Sequence, residues 1–167
     1  LKTDLLRRDF TINTICMDKQ GNIIDLLDGK KDLQNKIIRI VGNTHSKIVE
    51  DPLRILRAIR FATILDFTIE KNLQVEIQNN KNLLKILSGY RIKEEISKIL
   101  FSSNFKKGLQ LLHQFSLCEI MGLSFSDYVY TNDLCGMWAQ IKMNRNIPFT
   151  KIEKENIVKI QDILKRK

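Results

Sequence analysis

The chain has 167 residues, 43% of them hydrophobic, and carries 28 Lys and Arg against 19 Asp and Glu, a net charge of +9. That length suits one domain or two small ones, and the composition supports a packed core. The longest apolar runs, such as Ile37-Ile38 and Leu83-Leu84, sit between charged neighbours and fall far short of a membrane span, so no membrane partner is expected.

In chain order, Leu1-Lys2-Thr3-Asp4 is polar at once, carries no secretory pattern and does not begin with Met, so the chain is expected to start inside a longer protein. Phe10 to Met17 alternates as a β-strand, Lys19-Gln20-Gly21-Asn22 is turn chemistry, and Ile23 to Leu27 is a second strand, which predicts a hairpin over 10–27. Asp28 to Leu33 reads as a turn into a short helix, and Ile37 to Val41 as one more strand closed by Gly42. From Glu50 onward the pattern is helical. Asp51 is placed as an acidic N-cap and Pro52 in the first turn, where its missing N–H costs nothing. Leu53, Leu56, Ile59 and Ala62 recur at helical spacing. Further helices are predicted near 70–87, 90–101, 104–115 and 150–166, while 123–135 is ambiguous, with loop one reading. The expected class is α+β, a short-stranded piece over 1–45 followed by all-helical pieces over 46–122 and 123–167. The lone Trp138, beside Met137 and Ile141, is expected in the core rather than stacked on a base.

The basic excess favours a polyanionic partner, with nucleic acid the leading candidate and a solvated basic surface the alternative. Cys16, Cys118 and Cys135 are odd in number and far apart, and neither His45 nor His113 lies near one. Zinc and a disulfide framework are therefore not expected, and a reducing cytoplasm fits this cysteine usage.

Two constellations can carry chemistry. In Glu50-Asp51-Pro52-Leu53-Arg54-Ile55-Leu56-Arg57-Ala58-Ile59-Arg60-Phe61 the arginines recur every third residue and form one slanting stripe, with Asp51 a turn before Arg54 on the same face. A carboxylate only accepts hydrogen bonds and a guanidinium only donates them, so the two side by side resemble a base edge. Cytosine and adenine each present an amino donor next to a ring-nitrogen acceptor, whereas uracil and guanine carry a carbonyl there. An Asp–Arg pair can thus accept C and A and reject U and G. The remaining arginines suit phosphate. The same residues also allow a purely structural role, with Asp51 a helix cap and Asp51–Arg54 a surface ion pair contributing less than about 1 kcal/mol. The second constellation is Arg7-Arg8-Asp9-Phe10-Thr11-Ile12-Asn13, where the arginines can contact a triphosphate or ribose and Asp9 can add a carboxylate near a metal. A basic turn with a locally bonded Asp is its structural counterpart.

Taken in order, Arg7 to Asn13, Gly21-Asn22-Ile23-Ile24-Asp25, Asp32-Leu33, Ile38-Arg39-Ile40-Val41-Gly42 and Glu50 to Arg54 resemble the motifs of the class II tRNA nucleotidyltransferase (CCA-adding enzyme) and bacterial poly(A) polymerase family. The likeness continues through Leu65 to Glu70 and Arg91 to Leu100, covering about residues 4–101. It departs at Asp25-Leu26-Leu27-Asp28-Gly29, where the family usually has Pro-Phe-Gly-Gly, and at Thr14, where Ala is common.

The resemblance implies a nucleotidyltransferase head leading into helical neck and body. It implies transfer of C and A from CTP and ATP to the tRNA 3′ end, with Mg²⁺ as cofactor. Arg8 would contact the incoming nucleotide, and Asp51 with Arg54 would form its template. Arg57 and Arg60 would contact nucleotide or RNA phosphate; Arg7, Asp9 and Asn13 would line the nucleotide or metal environment; Arg91 and Lys98 would contact tRNA. Leu56, Ile59, Phe61 and Phe67 would be core. The family's Gly-Gly-x-x-Arg-Asp stretch and Asp-x-Asp metal pair precede the arginine motif, so the catalytic acids are expected before residue 1 and this chain alone is expected to be inactive. Poly(A) polymerase, or an A-adding enzyme of the same family, and a non-catalytic helical RNA-binding module are the alternatives.

Overall fold

A computed structural model describes residues 1–125 and 128–165. The chain opens with a one-turn helix α1 (Lys2–Leu5), a 3-10 turn at Thr11–Asn13, and a hairpin of β1 (Cys16–Met17) and β2 (Ile23–Ile24), antiparallel with Cys16 opposite Ile24. The strands are much shorter than the sequence pattern predicts. The Thr11 hydroxyl donates to Asp32 at 2.6 Å and the Thr14 hydroxyl to the Thr11 carbonyl at 2.6 Å. Such local side-chain bonds compete with ladder formation and divert the backbone into a turn. Ahead of this turn, Phe10 forms an isolated bridge to Ile40. The second strand stops because the Asp25 carboxylate accepts the amides of Gly29 and Lys30 at 2.8 and 2.9 Å, which starts α2 (Gly29–Gln34).

Strand β3 (Ile37–Ile38) pairs in parallel with β4 (Thr68–Ile69), Ile37 opposite Thr68. Parallel neighbours need a crossover, supplied here by α3 (Thr44–Glu50) and α4 (Leu53–Ile64). Asp66, in the left-handed region at φ 56°, turns the chain from α4 into β4, a conformation that Asp tolerates better than most side chains. Arg39 ties the sheet to its flanks, donating to Asp32 at 3.0 Å and Glu70 at 3.2 Å. Glu70 also caps α5 (Lys71–Asn80) through the amide of Leu73.

A 3-10 turn (Lys81–Ile86) leads to α6 (Gly89–Leu100), α7 (Phe105–Gln114) and α8 (Leu117–Ile120). Strands β5 (Leu123–Phe125) and β6 (Ile141–Met143) pair antiparallel on either side of α9 (Leu134–Ala139), and α10 (Lys151–Leu164) follows behind a capping box of Thr150 and Glu153. The predicted helices fall on α5 with its 3-10 extension, α6, α7 and α10, while residue 166 lies outside the described residues. The ambiguous segment, 123–135, contains β5 and the start of α9; within it residues 126 and 127 lie outside the described residues.

Helix α4 is central. Leu53, Ile55, Leu56, Ala58, Ile59 and Ala62 are all buried, and α6 and α7 close over it. Closure depends on Gly108 of α7, because a methyl there would run into the side chains of Ile99 and Thr63. Phe67 is also buried, and Phe61 is half-buried with its ring edge-on to Phe10 at 5.4 Å. Trp138 is core, 1% exposed, its indole N–H donating to Ser97 at 2.9 Å. The buried apolar residues from Phe10 to Ile157 form one cluster. Among the described residues no helix is long and apolar enough to cross a membrane.

Candidate nucleotide-selecting site

Helix α4 is entered through a bend. Helix α3 runs on to Glu50, Asp51 is extended, and Pro52 occupies the capping position, one residue later than predicted. The Asp51 carboxylate still serves the helix start, with Oδ1 accepting the Leu53 amide at 3.2 Å. Its main partner comes from elsewhere in the chain. Arg91, on the first turn of α6, donates from Nη2 to both carboxylate oxygens, at 3.0 and 3.1 Å. Both side chains remain partly open to solvent.

Arg54 points inward, with 9% of its side chain exposed. Nε donates to Asp9 at 3.1 Å, and Nη1 donates to the Lys47 carbonyl at 2.6 Å and to Glu50 at 3.2 Å. Nη2 makes no hydrogen bond among the described residues. Arg57 Nε lies 2.5 Å from the second oxygen of Asp9. One carboxylate therefore bridges two successive arginines of α4. This corrects the expected Asp51–Arg54 ion pair: the two do not pair with each other, because the bend carries them to different partners. Asp9 faces two guanidinium groups.

One more turn along the stripe, Arg60 enters the α4–α6 interface, with Nε 3.3 Å from Glu95 Oε2 and Nη1 donating to Oε1 at 3.4 Å. Its guanidinium lies 4.5 Å from the centre of the Phe61 ring. Burial lowers the pKa of Arg60, and the Glu95 charge opposes that. Arg60 is thus largely withdrawn from solvent, since a straight stripe on a buried helix cannot keep every member in solvent. Lys98 sits 3.8 Å from both Glu94 and Glu95 and stays half-exposed. Arg8 is exposed and pairs loosely with Asp4 at 3.4 Å. Arg7 is exposed, and Asn13 closes the 3-10 turn.

The site thus presents an outward carboxylate (Asp51), a fixed arginine with one uncommitted terminal nitrogen (Arg54) and a third-exposed arginine (Arg57) at a single helix entrance. Sequence reasoning missed the partners. Glu50 was discoverable, four residues before Arg54; Asp9 and Glu95 were not, lying 45 and 35 residues away from Arg54 and Arg60. Among the described residues no three His, Cys, Asp or Glu side chains converge as a metal site. The three cysteines are free, and burial pushes the Cys118 thiol up to about 12, which removes it as a nucleophile.

The "Poly A polymerase head domain" profile matches residues 1–39, and the "Probable RNA and SrmB- binding site of polymerase A" profile matches residues 66–123. The CCA-adding enzyme of Ligilactobacillus salivarius is 49% identical over 110 residues, 66% of this chain and 27% of that protein. The CCA-adding enzyme of Lactobacillus helveticus is 37% identical over 144 residues, 86% of this chain and 35% of that protein. The crystal structure of the Bacillus stearothermophilus CCA-adding enzyme in complex with CTP superposes with a TM-score of 0.70 at 36% identity, over 72% of this chain and 31% of that one. The chain therefore spans about a quarter to a third of the length of these relatives.

Proposed function

We propose that this chain, which belongs to the tRNA nucleotidyltransferase and poly(A) polymerase family, is the nucleotide-selecting and tRNA-facing segment of an enzyme that adds C and A from CTP and ATP to the tRNA 3′ end. In this reading residues 1–45 belong to the head, 46–122 form the neck and 123–167 enter the body. The free cysteines fit a reducing cytoplasm.

The observation that carries the proposal is the pairing of open valences at the α4 entrance. An ionised carboxylate has about four acceptor positions; Asp51 fills three of them, with the Leu53 amide and two contacts from Arg91. The remaining position can take the exocyclic amino group of C or A. Arg54 has Nη2 left over to donate to the adjacent ring nitrogen, while Asp9, Glu50 and the Lys47 carbonyl hold the rest of the guanidinium still. Uracil and guanine would set a carbonyl against Asp51, acceptor against acceptor, in a partly dry site where an unmade hydrogen bond costs about 1–3 kcal/mol. Arg57 and Arg8 supply positive charge for the triphosphate.

In the whole enzyme Mg²⁺ would lower the cost of developing charge on the phosphoryl oxygens. In this reading its ligands lie outside the residues described here. Asp9 has both oxygens taken by arginines, so the ion would be held by acids elsewhere in the protein.

The test is incorporation of each of the four nucleotides into tRNA lacking its 3′ end, with a protein of the relatives' length carrying this segment and its Asp51→Ala variant. Loss of the preference for C and A over U and G, by about 10- to 100-fold, is the expected result. Unchanged selectivity would reduce Asp51 to a helix cap and sink the reading.

A further inference from the structure

Arg91 reaches Asp51 from the first turn of α6, so whatever positions that turn positions the selecting carboxylate. The contacts that do so come from residues 144–150, the strap between β6 and α10. Gly89, the first residue of α6, has no room for a side chain: a methyl there would run into the Asn146 carbonyl, with the Pro148 ring 3.1 Å away. The backbone of Gly89 is ordinary, so space alone requires glycine. Arg145 caps the chain just before the helix, donating to the carbonyls of Leu84 at 3.5 Å, Lys85 at 3.3 Å and Leu87. A turn further along α6, Lys93 donates to the Pro148 carbonyl at 3.2 Å and to both oxygens of Glu153 at 2.9 and 2.8 Å, and its ammonium lies 4.8 Å from the Phe149 ring centre. Glu153 is itself fixed by the capping box of α10, and Phe149 packs edge-on against the buried Trp138 at 5.2 Å.

Guanidinium and ammonium groups bonded to several carbonyls at once are expensive to displace. The strap therefore grips the beginning of α6 at three points (Leu84–Leu87, Gly89 and Lys93), and Arg91 lies inside that grip. We propose that the 144–150 strap is a positioning element for nucleotide selection: Arg145 and the Lys93–Glu153 pair hold the first turn of α6 so that Arg91 orients the Asp51 carboxylate toward the base. None of the strap residues touches the base in this account. Arg145, Lys93 and Glu153 act through Arg91.

The inference rests on the selecting role proposed for Asp51, and the experiment separates the two. In the protein of the relatives' length, kcat/KM for each of the four nucleotides is measured for Arg145→Met, Lys93→Met, Arg91→Ala, Asp51→Ala and the Arg145→Met/Arg91→Ala double variant. The expected result is a rise in misincorporation of U and G relative to C of about tenfold in Arg145→Met and Lys93→Met (the two grip variants), with KM for tRNA unchanged. The double variant should be no worse than Arg91→Ala alone, because residues acting through one another are not additive. If Asp51→Ala loses selectivity while Arg145→Met and Lys93→Met both keep it, the strap proposal falls and the site reading survives. A uniform loss of rate with all four nucleotides, or full additivity with Arg91→Ala, would make the strap a stabilising element only and also overturns the proposal. If Asp51→Ala keeps selectivity, the site reading fails and takes this inference with it.

Discussion

Asp9 and Arg54, 45 positions apart, are joined at 3.1 Å, and the same carboxylate holds Arg57 at 2.5 Å. The residue that leads into the first short strands is thereby fastened to the helix that carries the residues proposed to select the nucleotide. Both members are largely withdrawn from water, where removing one partner leaves the other's charge uncompensated.

Asp9→Ala is expected to destabilise the protein by about 2–3 kcal/mol, read as a lower urea midpoint at unchanged slope. Asp9→Asn, which keeps shape but not charge, should fall between. A change below about 0.5 kcal/mol would mean that Glu50 and the Lys47 carbonyl suffice to hold Arg54.

Glu95 lies under α4 at 3% exposure and faces Arg60. Glu95→Ala should cost about 3 kcal/mol by stranding the guanidinium, whereas Glu95→Leu combined with Arg60→Met should cost less than either single change, since removing a buried pair together avoids the orphaned charge. Chemical denaturation of the parent, Glu95→Ala, Glu95→Leu, Arg60→Met and the double variant decides it. An additive double variant would show that the two charges are not coupled.

The hydrogen bonds from Lys93 hold the carboxyl of Glu153 below its ordinary range, with the Thr150 amide and the Lys93 charge adding to the effect against burial. A depressed folded-state pKa gives stability that is complete above the ordinary glutamate value of about 4.3 and is lost as pH falls through the lower folded value. Lys93→Met should flatten the acid limb of the stability curve in that window and leave the curve near pH 7 parallel to the original. An acid limb of unchanged steepness would assign the pH dependence to other carboxylates.

Arg91 and Lys98 share one helix but have different partners, Asp51 for the first and Glu94 and Glu95 for the second. Lys98, half-exposed and 3.8 Å from its carboxylate partners, is available to phosphate. Lys98→Ala should weaken tRNA binding and reduce the slope of log affinity against log salt by about one. Arg91→Ala should leave that slope nearly unchanged and instead alter nucleotide choice, because its guanidinium is committed to Asp51. Equal slope changes in fluorescence titrations of both variants would return Arg91 to the RNA surface.

Much of this molecule is written in local order. The helical spacing of Leu53, Leu56, Ile59 and Ala62 announces a buried α4, and Asp51-Pro52 announces its start, because period and capping depend on residues within one or two turns. The arginine stripe and the motif order from Arg7 to Arg54 are equally local, and they were enough to point to the family. The two-residue strands were not legible: Phe10 to Met17 has strand periodicity, but Thr11 and Thr14 spend their hydroxyls on Asp32 and on the local backbone. The partners of the charged residues were not legible either. Asp51 with Arg91, Arg54 and Arg57 with Asp9, and Arg60 with Glu95 are contacts across 35 to 48 positions or between separate helices. An arginine on a helix face states only that it can donate. Which carboxylate it meets, and whether it is left free for a base or a phosphate, depends on where the other helices close, and that is settled by packing around α4 and not by any run of neighbouring residues.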